Sequence, residues 1–266
     1  MKLIGTHDLH FYQIDQIKRV RLVKRADGYY AQLLIKAERN IQIEPTGRVI
    51  GLDVGLNHFY VDSNGERVEN PRFLRKSERA IKRLQRKVSR KFSKSRTQEK
   101  IRQSHNYHKA KNKLSRKQLK VSRQRKDHAV KLARCVVMSA DVLVYEDLRI
   151  ANMVKNHKLA KSINDASWYQ FRVWIEYFGK LFGRLTIAVA PQYTSQDCSN
   201  CGHRVQKSLS TRTHQCPNCG YTSCRDENAA RNILNKGIST AGHVGTWVLD
   251  TQNASGENTS IDVGVI

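Results

Sequence analysis

Residues 48–56 read RVIGLDVGL, an apolar strand from Val49 to Val54 that one carboxylate, Asp53, interrupts. A carboxylate in such a strand is costly to bury unless it binds a metal ion or accepts hydrogen bonds. A second strand, residues 58–61, runs into the turn sequence Asp-Ser-Asn-Gly, and a third strand follows the turn. The stretch therefore predicts a β-sheet with an acidic side chain inside it.

Further strands lie on both sides of this stretch. Before it, residues 18–44 place short apolar runs around a turn at residues 26–28, which predicts a β-hairpin. After it, residues 141–146 read DVLVYE, a buried type of strand that ends on a second acid, Glu146. We expect a loop after Glu146.

A helix and a further strand complete the pattern. Ser167 or Asp165 can cap a helix that Gly183 ends, and residues 185–190 form the next strand. One face of this helix is apolar: Phe171, Trp174, Ile175, Phe178, Leu181 and Phe182. Because strands and helices alternate around a sheet, the sequence predicts a mixed α/β fold.

Positive charge is concentrated in one segment of the 266-residue chain. The segment from residue 72 to residue 134 holds 25 of the 48 Lys and Arg residues against three acids, a net charge of +22, while the remainder is close to neutral. A solvated helical face usually mixes signs, and this one does not. The charge predicts binding of nucleic acid through a localised surface, for which Arg83, Lys87, Arg90 and Lys117 are candidate phosphate contacts.

The same segment favours helix. Residues 74–139 contain neither Pro nor Gly, and Ile81, Leu84 and Val88 fall at helical spacing. Further along, apolar and aromatic positions recur every seven residues, and residues 93–104 are polar. We predict two helices joined by a turn there, with a thin apolar seam and a basic exterior.

Asp226 is a third candidate acid, at the start of the helical sequence RDENAARNIL. With Asp53 and Glu146 it could hold a pair of divalent metal ions, since carboxylates favour Mg²⁺ or Mn²⁺ and such pairs suit phosphodiester cleavage. Spacing alone leaves the alternative open that Asp53 caps a turn and Asp226 caps a helix.

Four cysteines form two C-x-x-C pairs: Cys198, Cys201, Cys216 and Cys219. Fourteen residues separate the pairs, and a glycine directly follows each of them. This spacing predicts a zinc ribbon, and four thiolates leave no open coordination position, so the zinc is expected to be structural. Cys224 has the wrong spacing for the knuckle, and Cys135 is expected to be a small core residue.

The termini and the absence of long apolar runs indicate the class of protein. No apolar run reaches the length of a membrane span, and the polar start at Met1 does not resemble a signal peptide, so we expect a soluble, cytoplasmic protein. Residues 237–266 contain no Lys or Arg and are rich in Gly, Ser and Thr. They are expected to form a flexible tail.

Four ordered motifs carry a family resemblance: GLDVGL, YEDL, YTSQDCSNCG and HQCPNCGYTSCRDENAARNIL. Over roughly residues 15–236 the chain resembles the TnpB (OrfB) transposon nucleases, relatives of the type V CRISPR effectors of prokaryotes. The resemblance implies a ribonuclease-H-like (RuvC) core with a basic helical-hairpin insertion and an inserted zinc ribbon. It also implies that Asp53, Glu146 and Asp226 are catalytic, and that a transposon-derived guide RNA selects a DNA target.

The chain departs from the family pattern at two places, and the resemblance predicts how the chain divides into segments. The family usually has an acid where this chain has Cys224, and Met1 aligns inside the family's N-terminal β-barrel domain, so we expect an N-terminally short member. A repressor, an inactive truncated binder and a strand-joining transposase remain alternatives to the endonuclease.

The expected segments are a barrel remnant (1–46), a first core segment (47–72), the basic hairpin (73–139), a second core segment (140–193), the ribbon (194–223), the final core helix (224–236) and the tail (237–266).

Overall fold

A computed structural model describes residues 5, 11–37, 41–93, 102–208 and 210–243 of the chain. The described residues divide into two compact units. The first unit combines residues up to 37 with residues 77–123, and the second combines residues 41–76 with residues 124–243.

The first unit contains the predicted hairpin and most of the basic helices. Its elements are β1 (Ile17–Arg25), β2 (Gly28–Ile35), α1 (Phe73–Lys91, from residue 77 onward) and α2 (His105–Met138, up to residue 123). β1 and β2 pair antiparallel around the turn at Ala26 and Asp27. Arg123 binds the Asp27 carboxylate at 2.6 Å, and Arg116 donates to the Ala26 carbonyl at 3.2 Å. These bonds attach the hairpin turn to α2.

The two predicted helices and their seam are confirmed. Ile81 on α1 and Ala110 and Val121 on α2 are buried, whereas most of the basic side chains between them are exposed. Of the predicted turn at residues 93–104, residues 94–101 lie outside the described residues. The apolar spacing therefore predicted the buried face correctly, because a helix turns by about 100° per residue and places every third or fourth side chain on one side.

A five-stranded mixed sheet organises the second unit. Its strands are β3 (Val49–Val54), β4 (His58–Asp62), β5 (Arg67–Glu69), β6 (Val142–Glu146) and β7 (Leu185–Val189). Their order is β5-β4-β3-β6-β7. β3, β6 and β7 run parallel, and the β3–β4 and β4–β5 pairs are antiparallel. The mixed α/β prediction is confirmed.

Helices cover both faces of this sheet. They are α3 (Ile150–Met153), α4 (His157–Ala166), α5 (Trp168–Phe182) and α6 (Arg225–His243), with the end of α2 from residue 124. Along β6, Leu143 and Tyr145 pack into the larger core with α2, α4 and α5, while Val144 packs with Ile233 of α6 on the other face. Alternate side chains of a strand point to opposite faces, so each face of β6 contributes to a separate core.

Asp165 has a different role from the predicted one. Ser167 occupies the N-cap position of α5 in a left-handed conformation without a side-chain capping bond. Asp165 is buried and accepts hydrogen bonds from the backbone N–H of Leu74 (2.8 Å) and of Arg75 (3.2 Å), at the start of α1, and from Arg125 at 3.0 Å. The carboxylate therefore caps α1, whose Leu74 lies 91 residues earlier in the chain.

Two predicted boundaries are wrong. The expected loop after Glu146 contains α3 and α4, whose Ile163 and Ala166 are buried in the core. The predicted tail (237–266) starts too early, because α6 continues to His243 and Gly237 packs on Val144. Residues 244–266 lie outside the described residues.

None of the helices in the part of the chain that the structure describes combines the length and the hydropathy that crossing a membrane would need.

Candidate metal centres

Three acidic side chains meet where β3 and β6 end and α6 begins. Asp53 is the fifth residue of β3, and Glu146 is the last residue of β6. The strands are parallel and pair Leu52 with Tyr145, so the next residue of each strand lies at the same end of the sheet. Asp226 is the second residue of α6. We name Asp53, Glu146 and Asp226 the carboxylate cluster.

Glycine lets α6 lie directly on the sheet. A Cβ on Gly51 would collide with the backbone carbonyl of Ala230 and would crowd the backbone of Leu234, and a Cβ on Gly237 would collide with Val144. Two backbones can approach this closely without a clash only where a glycine lacks the Cβ atom. Contact along both β3 and β6 brings the first turn of α6 to the end of the strands.

The charges of the carboxylate cluster affect one another. Burial raises the pKa of Asp53 well above its ordinary value, and the negative charges of Glu146 and Asp226 raise it further, while Arg225 opposes the shift. The Asp226 carboxylate has Arg225 at 3.3 Å and Arg212 at 3.8 Å. A divalent cation among these carboxylates would remove the repulsion that makes the ionised form of Asp53 costly.

A loop after β7 supports Glu146. The Thr194 hydroxyl donates to Glu146 Oε1 at 2.6 Å and lies 3.2 Å from the Pro191 carbonyl. Lys236 of α6 donates to the Gln192 carbonyl in the same loop. Burial raises the pKa of Glu146, and the Thr194 hydroxyl and the charge of Lys236 oppose that shift. Thr194 lies in the YTSQ motif, but sequence reasoning did not connect it with Glu146.

Two asparagines tie α6 to the segment before it. The fully buried Asn228 accepts from the backbone N–H of Ser199 at 2.9 Å and donates to the Asp197 carbonyl at 2.8 Å. Asn232 donates to the Thr194 carbonyl at 2.8 Å. Sequence reasoning missed both residues. Their signal is a pair of amides four residues apart in a helix, next to Ala and Ile positions of the packing face.

The four predicted zinc ligands come together. Cys198 Sγ and Cys219 Sγ are 3.7 Å apart, Cys201 Sγ and Cys216 Sγ are 3.6 Å apart, and all four sulfur atoms lie within 4.8 Å of one another. In a tetrahedral zinc site with Zn–S bonds of about 2.3 Å, neighbouring sulfurs are about 3.8 Å apart. The four cysteines, named here the cysteine cluster, fit zinc in number, chemistry and spacing.

The two C-x-x-C pairs form matching backbone turns. The N–H of Gly202 donates to the Cys198 carbonyl at 2.8 Å, and the N–H of Gly220 donates to the Cys216 carbonyl at 3.0 Å. Both glycines have positive φ, 76° and 71°. Such a turn disfavours a side chain, so the glycine after each pair is a structural requirement of the knuckle. The ribbon strands β8 (Thr213–Gln215) and β9 (Thr222–Cys224) flank the second turn.

The thiols of the cysteine cluster differ in acidity. The backbone N–H of Tyr221 and the amide of Asn200 lower the pKa of Cys219 to about 6. Burial raises the pKa of Cys198 to about 11. Cys219 therefore gives up its proton to an incoming metal ion more readily than Cys198.

The other two cysteines lie elsewhere. Cys224 is partly buried and does not belong to the cysteine cluster, as its spacing predicted. The expectation that Cys135 is a core residue is wrong, since its side chain is exposed on α2. Its neighbours Val136 and Val137 are buried, so the helix turns Cys135 away from the core.

Within the described residues, only the cysteine cluster brings the ligand atoms of three or more His, Cys, Asp or Glu side chains within 4.8 Å of one another. The carboxylate cluster is therefore wider. A pair of ions about 4 Å apart can be held by carboxylates that do not all touch. Hard oxygen ligands of this kind suit Mg²⁺ or Mn²⁺.

The candidate phosphate contacts lie on the surface of the basic helices. Arg83, Lys87 and Arg90 on α1 are exposed, and Lys117 on α2 is partly exposed. All four can reach solvent, as a polyanion-binding surface requires.

The chain matches two family models in consecutive stretches. Residues 32–157 match the OrfB_IS605 model, described as "Probable transposase", and residues 168–233 match "Cas12f1-like, TNB domain". The second stretch contains the cysteine cluster and Asp226.

Curated relatives agree with these models. "Putative RNA-guided DNA endonuclease InsQ" of Escherichia coli (strain K12) is 30% identical over 83% of this chain and 57% of the relative. "Putative RNA-guided DNA endonuclease" of Streptomyces pristinaespiralis is 33% identical over 82% of this chain and 52% of the relative. The chain spans about half the length of the curated relatives it matches.

A solved structure shares the fold. The protein of the "Cas12f1-sgRNA-target DNA complex" matches with a TM-score of 0.51 and 17% identity, over 81% of this chain and 55% of that one. The fold and the two clusters thus define a mixed α/β protein similar to the Cas12 effectors. Family models and relatives together identify the family: the chain belongs to the TnpB (OrfB) family.

Proposed function

We propose that this chain is a metal-dependent DNA endonuclease that acts with a guide RNA. One observation carries the proposal: three acids separated by 93 and 80 positions in the sequence converge at one end of the sheet. A group of like charges that is partly withdrawn from water is costly to the fold unless a cation neutralises it, and perturbed carboxylates of this kind cluster at catalytic sites. The names of the two curated relatives support the same activity.

The core is proposed to be ribonuclease-H-like, of the RuvC type. The strand order β5-β4-β3-β6-β7, with an antiparallel hairpin on one side and parallel strands on the other, supports this topology. In this proposal residues 47–72, 140–193 and 224–243 form the core. The basic helical hairpin (73–139) and the ribbon (194–223) are insertions into it.

Asp53, Glu146 and Asp226 would hold Mg²⁺ or Mn²⁺. When bound, such ions supply an activated water and stabilise the leaving oxygen of a phosphodiester. The residues of this chain would keep the carboxylates in place: Thr194 orients Glu146, and the backbone contact of α6 with the sheet positions Asp226.

The cysteine cluster is proposed to bind one structural zinc ion. Four thiolates complete its coordination, so the ion would hold the ribbon together and would take no part in hydrolysis. The ties from Asn228 to the backbone of Ser199 and Asp197 would transmit the order of the ribbon to α6.

Basic side chains of α1 and α2 are proposed to bind nucleic-acid phosphates, giving affinity without sequence information, while pairing with the guide RNA would read the target. Each phosphate contact with duplex DNA lowers log affinity by about 0.9 per log unit of salt. Replacing Arg83, Lys87, Arg90 and Lys117 together by Gln should make the slope of log affinity against log salt less steep. The change should equal the loss of about two to three phosphate contacts in a filter-binding titration. An unchanged slope would mean that the four side chains only face solvent.

The decisive test measures cleavage of single-stranded DNA with Mg²⁺ and a matching guide RNA. Asp53→Ala, Glu146→Ala and Asp226→Ala should each reduce the rate by at least about a thousandfold while DNA affinity stays within a few fold, and double variants should be little worse than single ones. Glu227→Ala is the matched control, since Glu227 follows Asp226 but pairs with Arg231 at 2.7 Å. Cleavage that survives in Asp226→Ala, or a parent that binds but never cleaves, would contradict the proposal.

A further inference from the structure

Tyr193 is an exposed aromatic residue next to the carboxylate cluster. The residue is 49% exposed, whereas the following residue, Thr194, is 5% exposed and its hydroxyl bonds to Glu146. Consecutive Cα atoms are 3.8 Å apart, so the backbone of Tyr193 is one residue away from the support of a candidate catalytic acid. The YTSQ motif thus places one side chain inside the site and the next one at its surface.

The backbone of Tyr193 is unusual. Its φ is 63°, in the left-handed region that aromatic residues rarely adopt. The turn is held by the N–H groups of Gln196 and Asp197, both of which donate to the Tyr193 carbonyl at 2.9 Å. Residues held in such conformations concentrate at functional sites, where the surrounding structure maintains them. Here the conformation presents the ring to solvent and keeps Thr194 on the core side.

One face of the Tyr193 ring already carries a planar cation. The guanidinium carbon of Arg204 lies 3.5 Å from the ring centroid, and Arg204 Nε donates to Asp197 Oδ1 at 2.8 Å. The salt bridge fixes the orientation of the guanidinium. Tyr193 stays about half exposed with Arg204 on one face of its ring, so part of the residue remains accessible to a ligand. Together the two side chains form a preformed, flat surface whose guanidinium is paired with the Asp197 carboxylate.

We propose that Tyr193 and Arg204 form a stacking platform for an unpaired base of the DNA strand whose phosphate enters the carboxylate cluster. Bases of single-stranded DNA stack on aromatic side chains and on arginine regardless of sequence, because every base has a π-face. The proposal rests on the proposed function for the identity of the strand. The platform would fix the base beside the scissile phosphate and so position that phosphate over Asp53, Glu146 and Asp226.

The test uses the full chain with zinc and single-stranded DNA that carries 2-aminopurine, with Ca²⁺ in place of Mg²⁺. Stacking quenches this fluorophore. The parent and Tyr193→Phe should quench it at one position of the strand. Tyr193→Leu, which keeps an apolar side chain without a ring, should abolish the quenching and weaken binding roughly tenfold, the effect expected of losing one base–aromatic stack. Tyr169→Leu is the matched control, since Tyr169 is 66% exposed on α5.

Quenching and affinity in Tyr193→Leu equal to those of the parent would overturn the platform. An abasic scan of the DNA against the parent needs no protein variant: one abasic position should cost roughly tenfold in affinity, and a flat scan would overturn the proposal even where Tyr193→Leu folds poorly. The two proposals fail differently. A parent that never cleaves in Mg²⁺ contradicts the proposed nuclease activity, while the fluorescence measured in Ca²⁺ still reports on stacking. Cleavage by Tyr193→Leu with an unchanged KM contradicts the stacking platform alone.

Discussion

The cysteine cluster and the carboxylate cluster gather their side chains in opposite ways. All four cysteines come from a 22-residue segment, and their sulfur atoms lie within 4.8 Å of one another. The three carboxylates come from two strands and a helix, and they do not meet that distance. The first cluster is formed by local turns of the backbone. The second is formed by the packing of α6 on the sheet.

This difference suits two kinds of metal chemistry. A compact set of four soft ligands closes around zinc and leaves no position for substrate. A wider set of oxygen ligands leaves room for water and a phosphate beside the ions. The three predictions below test whether the two clusters depend on local and on tertiary structure as the comparison implies.

The largest expected effect on stability is at the cysteine cluster. Cys201→Ser should lose the zinc ion and unfold the ribbon, because structural zinc contributes on the order of 10 kcal/mol to the folding of such small modules. Zinc content by elemental analysis and limited proteolysis of residues 194–223 measure the outcome.

Cys224→Ser is the control, since Cys224 lies in the same segment outside the cluster. It should keep one zinc ion per chain. Freshly purified, unchelated parent without zinc would contradict the ribbon assignment.

At the carboxylate cluster we expect an effect of intermediate size that raises the stability instead of lowering it. Without divalent ions, Asp53→Asn should raise the stability by about 1 kcal/mol, because it removes a partly buried charge that Glu146 and Asp226 repel. For a chain of this size this corresponds to a Tm increase of about 2–4 °C. Differential scanning calorimetry in EDTA measures it.

Addition of Mg²⁺ should reverse the order of the two proteins. The parent gains stability by binding the ion, and Asp53→Asn gains less. A parent whose Tm does not respond to Mg²⁺ would argue against a metal site at these acids.

The smallest expected effect on stability is at Asp141, a carboxylate next to the same sheet. Its pKa is lowered, whereas the pKa of Asp53 is raised. The backbone N–H of Thr46, at 2.8 Å, is the main cause that lowers its pKa, with help from the N–H of Gly47 and from Arg184. Just below pH 4 the native state therefore holds fewer protons than the unfolded chain. The stabilisation of the folded state by ionised Asp141 is complete above that pH and is lost as the pH falls through the lowered pKa.

Urea unfolding of the parent and of Asp141→Asn between pH 6 and pH 2.5 measures this contribution. The difference between the two proteins should be largest at pH 6 and should shrink below pH 4. A difference that stays constant over this range would mean that the ionised form of Asp141 has no preferred partner.

The sequence alone contained the features of the structure that depend on neighbours along the chain. The two knuckles, the strands around Asp53 and Glu146 and the seam of α1 and α2 follow from short-range spacing, and each is observed. Such features are readable because backbone turns and side-chain periodicity are set within a few residues. The four motifs added the family and its catalytic acids as a prediction.

Only the tertiary structure decided which distant groups meet. Asp165 was one of two candidates, with Ser167, to cap the helix beside it, yet it caps α1 by accepting from Leu74, 91 residues earlier in the chain. The ties of Asn228 and Asn232, the support of Glu146 by Thr194 and the stacking of Arg204 on Tyr193 have no local signal of comparable strength. A polar side chain can satisfy its hydrogen bonds with any partner that packing brings within about 3 Å. The sequence specifies the side chain that needs a partner, and the packing of segments that are distant in the chain selects that partner.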